Sequence, residues 1–255
     1  MKSLLLALAF AGSLWAAETP ATPTNSPAPL RVFIRSGPKT HGPGDHDHPA
    51  FLRDWVPLLN AAGAKATGSD NFPTAAQLAE TDVLIIHRQG GGDFKPEEQT
   101  NVAAFAHRGG GFVVIHAGTV ASNDPATEFF KNLIGGAWKQ KVTKWREGPM
   151  ELNFVDTANP LVQGIKDFKM KDEIYYDMDL RSDIHALATA PTPKKKDGTV
   201  DIQTQIWTYE NEGHRAFVFI PGHTYVNFAR DDVKTLLLRG ICWAGRRSNV
   251  NELCK

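Results

Sequence analysis

Three short runs constrain this chain more than any other feature. In "LRVFIRS" (30–36), "DVLIIH" (82–87) and "GFVVIH" (111–116), apolar side chains stand at consecutive rather than alternate positions. A strand shows its side chains to opposite faces in turn, so such a run needs cover on both faces, as in a parallel sheet flanked by helices. The stretches between the runs supply the helices. "AFLRDWVPLLNAAG" (50–63) has apolar residues at helical spacing and stops at Gly63, with Pro57 inside it predicting a kink or a late start. "KPEEQTNVAAFAHRGG" has a proline near its start, acids in its first turn and glycines after its end. "DPATEFFKNLIGG" and "VNFARDDVKTLLLRGICWAG" read as two more helices, "TAAQLAE" as a short one, "AKATGSD" as a weak strand and "RAFVFIPGH" (215–223) as a last buried strand. From 137 to 214 the pattern changes to successive strands joined by turns, with "PTPKKKDGTVD" a hydrophilic connection. The expected fold is α/β: a doubly wound, mostly parallel sheet of flavodoxin-like kind with an antiparallel β extension.

At the N-terminus, Lys2 precedes an apolar run reaching about Trp15, then Ala16 and Ala17. The run is too short to span a bilayer and reads as a signal peptide over residues 1–17, with export to the periplasm or the extracellular space. Residues 18–29 read as a Pro/Thr linker, 30–247 as one domain and 248–255 as a tail. No later segment is expected to span a membrane. Lys+Arg and Asp+Glu are both 28, and a chain without basic excess is not expected to bind nucleic acid. The two cysteines, Cys242 and Cys254, lie near the C-terminus, where a disulfide and free buried thiols are equally compatible with the spacing.

Ligands of open parallel sheets bind beyond the carboxyl ends of the strands. Six of the nine histidines fall there: His41, His46 and His48 after the first strand, His87 after "DVLII", His116 after "FVVI" and His223 after "FVFIPG". His107, His185 and His214 have ordinary readings at a helix end, a strand start and a turn. In extended backbone, residues two apart point the same way, and Pro49 favours extended geometry at His48. His46 and His48 are therefore expected to present two imidazoles to one ion. The expected ligand pool is His46, His48, His116 and His223, for a divalent metal with zinc first and nickel or manganese as alternatives. Glu173, Asp45 and His41 are the candidate acids and bases, with Glu173 alternatively a ligand or a paired surface acid. Gly91, Gly92, Tyr175 and Asn227 are the candidate substrate contacts. A polar cleft without metal remains the alternative.

The segments "RVFIRSGPKTHGPGDHDHPAF", "DVLIIHRQGGG", "GGGFVVIHAGT", "KDEIYY" and "FIPGHTYVNF…LLLRGICWA" resemble, in that order, the ThuA-like family, over about residues 30 to 245. The resemblance implies a class I glutamine amidotransferase-like fold and a role in carbohydrate metabolism. The implied substrate is a trehalose-like disaccharide or a keto-sugar derivative. Amidotransferases of this fold carry a nucleophilic cysteine on a sharp strand-to-helix turn, and His116 stands there in this chain, so glutaminase chemistry is not expected. A metal-assisted hydrolase, lyase or isomerase of a sugar is the leading expectation. A non-catalytic sugar-binding protein is the alternative, and a structural domain of a larger assembly is a third reading. Oligomeric state is not legible.

Overall fold

The computed structural model describes residues 28–193, 199–211 and 213–254. The expected signal peptide, most of the expected linker and the lysines of the hydrophilic connection lie outside the described residues. In chain order the elements are β1 (Arg31–Arg35), α1 (His48–Ala61), β2 (Lys65–Ser69), α2 (Ala75–Ala79), β3 (Val83–Ile86), α3 (Pro96–His107), β4 (Gly111–Ile115), α4 (Asp124–Ile134), β5 (Gly136–Ala137), β6 (Lys144–Phe154), β7 (Phe168–Tyr176), β8 (Asp179–Leu180), β9 (His185–Pro193), β10 (Val200–Asn211), β11 (His214–Phe219) and α5 (Asp231–Ala244). Single 3-10 turns, His116–Thr119 and Tyr225–Ala229, follow β4 and precede α5.

Nine strands form one sheet in the order β2-β1-β3-β4-β11-β10-β9-β6-β7. β2, β1, β3, β4 and β11 run parallel, and from β11 outward every pairing is antiparallel. The consecutive apolar runs divide between two faces as their composition requires. Val32, Ile34, Val83, Ile85, Val113 and Ile115 meet Phe51 and Trp55 of α1 and Leu237 and Ile241 of α5. Phe33, Leu84, Ile86, Phe112 and Val114 meet Phe105 of α3 and Phe130 of α4. Each large side chain so buried contributes about 1.5–3 kcal/mol.

Local chemistry sets the helix ends. Asn123 caps α4 by accepting from Ala126 N, and Gly135 ends it in the left-handed region at φ 82°. α1 starts two residues earlier than its apolar pattern suggests, because Asp47 caps it by accepting from Ala50 N and Pro49 lies in its first turn. The helix continues through Pro57. The expected last helix from residue 226 is divided: a 3-10 turn comes first and α5 begins at Asp231. His214 is not in a turn. It opens β11, buried, with Nε2 donating to the Leu133 carbonyl at 2.7 Å. Among the described residues no helix is long and apolar enough to cross a membrane.

Candidate metal centre

β1, β4 and β11 deliver three histidine-bearing segments to one end of the sheet. The loop after β1 is folded by its own cation: Lys39 Nζ donates to the carbonyls of Thr40, His41, Gly42 and Asp45. It is joined to the segment after β11 by His46 N donating to His223 O (2.8 Å) and Tyr225 N to Gly44 O (2.8 Å). β4 ends at an elbow where His116 has φ 51°, and His41 (65°) and His46 (41°) are also left-handed. Non-glycine residues there store roughly 1–3 kcal/mol of strain each, a pattern that clusters at functional sites.

The rings converge. His116 Nε2 lies 2.9 Å from His46 Nε2, 3.2 Å from the Tyr175 hydroxyl and 3.3 Å from Glu173 Oε2. His223 Nδ1 lies 3.3 Å from Glu173 Oε1. Donor atoms of His46, His116, Glu173 and His223 all lie within 4.8 Å of one another, and all four residues are buried. Four donors set about 2.0–2.1 Å from a common tetrahedral centre would be about 3.3 Å apart, close to the shortest of these spacings and below the widest. The tautomers suit a metal as well. His116 Nδ1 faces the Ile220 carbonyl at 2.8 Å and must carry its proton there, leaving the Nε2 lone pair toward the cluster. Burial, reinforced by the neighbouring imidazoles, drives His46 down to about 2, so it stays neutral. Burial would raise Glu173, but the neighbouring His116 and His223 imidazoles outweigh it and hold the carboxyl well below its usual range. Burial opposes protonation of His223, whereas Glu173 and Asp45 favour it, and the balance is a raised pKa. A buried His/Glu cluster able to hold a metal ion is therefore present.

The structure reassigns several expected residues. His48 is outside the four-donor group. The backbone from His46 is not extended: His48 N donates to His46 O (2.9 Å) around Asp47 at φ −83°, ψ 65°, an inverse γ-turn, and His48 becomes the first residue of α1. Its Nδ1 donates to Pro38 O at 2.9 Å, and its ring packs on His87. Glu173, expected first as an acid or base and alternatively as a ligand, joins the donors. His41 is exposed at the mouth, its ring 4.0 Å from that of His46, and Asp45 Oδ1 is 3.6 Å from His223 Nε2. Tyr175 lines the cleft, and burial, then the charge of Glu173, pushes its hydroxyl pKa well up, so it is a neutral donor. Gly91 and Gly92 are packing residues. A Cβ on Gly91 would lie 2.2 Å from Gly118 O, and one on Gly92 2.6 Å from Phe130 Cδ1. The Asn227 amide is engaged internally, donating to Lys171 O (2.8 Å) and Asp172 Oδ2 (2.7 Å).

Asp172 is a residue that the sequence reasoning missed. Wholly buried, its Oδ1 accepts from the backbone N–H groups of Glu173 (2.8 Å), Gly222 (3.1 Å) and His223 (3.0 Å). It ties the carboxylate-bearing strand to the His223 turn. The available signal was alternation: adjacent residues of a strand face opposite ways, so Asp172 and Glu173 could not both face the cleft.

A cleft of about 280 Å³ opens in front of the donors, with His41, Gln89, Trp138, Gln140 and Trp145 among its walls. A larger cavity, about 500 Å³, opens near His107 and His214 at the opposite strand ends and has no carboxylate in its lining.

A doubly wound sheet whose elbow bears an imidazole where a nucleophilic thiol would stand defines a glutamine amidotransferase-like fold without the nucleophile. Cys242 and Cys254 are free thiols, and burial raises Cys242 to about 11. The ThuA family model, trehalose utilisation, matches residues 34–244, and the chain belongs to that family. No curated protein matches it. Among solved structures, one described as ThuA-like from Bacteroides uniformis aligns at TM-score 0.65 and 17% identity over 93% of this chain and 100% of that one. Another described as ThuA-like, from Parabacteroides merdae, aligns at 0.63 and 16% over 85% and 90%. The cytoplasmic protein STM3548 of Salmonella typhimurium aligns at 0.59 and 13% over 84% and 99%. At these identities the likeness concerns the fold.

Proposed function

We propose that this protein is a metal-assisted enzyme acting on a small carbohydrate, with His46, His116, Glu173 and His223 holding one divalent ion. The carrying observation is the convergence of four buried donors from four separate segments, within 4.8 Å of one another. Three imidazoles and one carboxylate favour zinc over magnesium or calcium, which prefer oxygen-rich sites, and nickel and manganese are the alternatives. A bound ion would supply Lewis acidity toward a carbonyl or hydroxyl oxygen of the sugar. The remaining roles belong to the chain. His41, exposed at the mouth, is the candidate base, with Asp45 beside His223 as the second. Tyr175 offers a neutral hydroxyl to a substrate oxygen. The family's link to trehalose supports a trehalose-like disaccharide or its keto derivative as substrate, in a hydrolysis, elimination or isomerisation. The proposal includes export, on the apolar run behind Lys2.

Elemental analysis of untagged protein, purified without chelator, tests it. The wild type should hold about one ion per chain or take one up on dialysis against zinc, and His46→Ala and His116→Ala should not. A wild type that stays empty overturns the metal assignment. Carbohydrate binding by metal-free protein at full affinity without turnover would favour the non-catalytic reading.

A further inference from the structure

The cleft has an aromatic wall that the donor cluster does not require. Trp145 is 55% exposed, whereas Trp55, Trp138, Trp207 and Trp243 are buried or half-buried. It stands on β6 directly opposite Tyr175 of β7. Cross-strand partners share a face, so its indole lies one strand spacing, about 5 Å, outward from the tyrosine that touches His116. Trp138 forms a fixed second wall. Its backbone N donates to Thr119 O at 3.1 Å, in the turn after the elbow, and its ring meets Tyr175 edge-on at 5.0 Å. Two amides complete the rim. Gln89 is exposed, and Gln140 is held by Nε2 donating to Ala121 O, leaving its oxygen as an acceptor. At about 280 Å³ the cleft is at the bottom of the range for small-molecule sites, which begins near roughly 300 Å³. Trp145 lines its outer end, one strand beyond Tyr175.

We propose that the site has two sugar subsites: an inner one, in front of the donor cluster, for a single ring, and an outer one in which the second ring stacks on the exposed face of Trp145. The inference rests on the carbohydrate reading and adds to it the residue that would hold the second ring. An indole face matches the C–H face of a pyranose, and its N–H and the nearby glutamines match the hydroxyl edges. Trp145 is then a specificity residue that touches only the outer ring.

Calorimetric titration of wild type, Trp145→Ala and Trp145→Phe with glucose, trehalose and maltose tests the assignment. At least one disaccharide should bind wild type more tightly than glucose. Trp145→Ala should weaken that disaccharide about tenfold and glucose much less, with metal content unchanged, and Trp145→Phe should recover most of the loss. Equal disaccharide affinity in wild type and Trp145→Ala, with or without a change in oligomeric state, overturns the outer subsite alone. Equal loss of glucose and disaccharide overturns it too, since Trp145 would then shape the inner site. If no saccharide binds wild type with its metal in place, the carbohydrate reading falls and this inference falls with it.

Discussion

The two halves of the sheet contribute to the centre in opposite ways. The parallel half offers histidines at strand ends, on loops whose backbone is bent into left-handed geometry to aim them. The antiparallel half offers a carboxylate from within a strand, where ordinary alternation does the aiming. Glu173 and Tyr175 face the cleft, and Asp172, the residue before Glu173, accepts from the His223 turn and from Asn227. The imidazole nitrogens of the candidate centre thus come from one half, and the carboxylate that would draw a cation to them comes from the other.

Acid should expose this asymmetry most strongly. His46 is held at about 2 and His48 at about 4, in both cases chiefly by burial, and burial holds His87 well below the usual imidazole value. The unfolded chain protonates these histidines near pH 6.5 while the folded chain does not, so the unfolded state binds more protons and stability falls as pH drops below about 6.5. Each group contributes up to about 1.4 kcal/mol per pH unit, on the order of 3–4 kcal/mol per unit for the three together. His223 has the opposite sign, but its raised pKa acts above the unfolded value. Glu173, held low, adds a further loss once pH passes below about 4.3. Urea midpoints of the metal-free protein at pH 7 and pH 5 check this: equal midpoints would mean that the buried histidines are not neutral.

The next effect separates the halves directly. His116→Ala removes a donor from the parallel half and Glu173→Gln the charge from the antiparallel half. Each should lower zinc affinity more than about 100-fold with the fold retained, since outer partners alone are worth about 10–100-fold. Competition with a chromophoric chelator measures it. If Glu173→Gln binds zinc like wild type, the centre belongs to the histidines alone. Asp172→Asn should fall within the 10–100-fold range, because one oxygen remains to accept from the His223 turn. Asp172→Ala leaves buried N–H groups unpaired and should cost about 3 kcal/mol in chemical denaturation. No change in either variant would refute the role of this carboxylate as the tie between the halves. The smallest effect belongs to the thiols. Cys242→Ser in α5 should cost about 1 kcal/mol, and Cys254→Ser less, with metal content and any turnover intact. Loss of turnover in the folded double variant would reopen sulfur chemistry.

The same division explains what was legible beforehand. The parallel half announces itself, since consecutive apolar residues admit one arrangement and the histidines at its strand ends are countable. The departure of His48 from the donors was not legible, because it depends on a single turn. Pro49 is satisfied both by extended backbone and by a place in the first turn of a helix, and the Asp47 cap selects the second. The glycines of "QGGGD" misled for a related reason: close approach by Gly118 or Phe130 and close approach by a substrate require the same missing Cβ. The order in which β10, β9, β6 and β7 add to the sheet follows from long-range pairing, of which alternation within one strand carries no record.

The left-handed backbone at His41, His46 and His116 also has an evolutionary consequence. At such positions glycine is the residue the chain would adopt most easily, at a saving of about 1–2 kcal/mol per site. Selection for stability alone would remove two of the three imidazole donors, His46 and His116. Fold maintenance and ligand retention therefore pull in opposite directions at His46 and His116, and a lineage that stopped using the site would gain robustness by losing it.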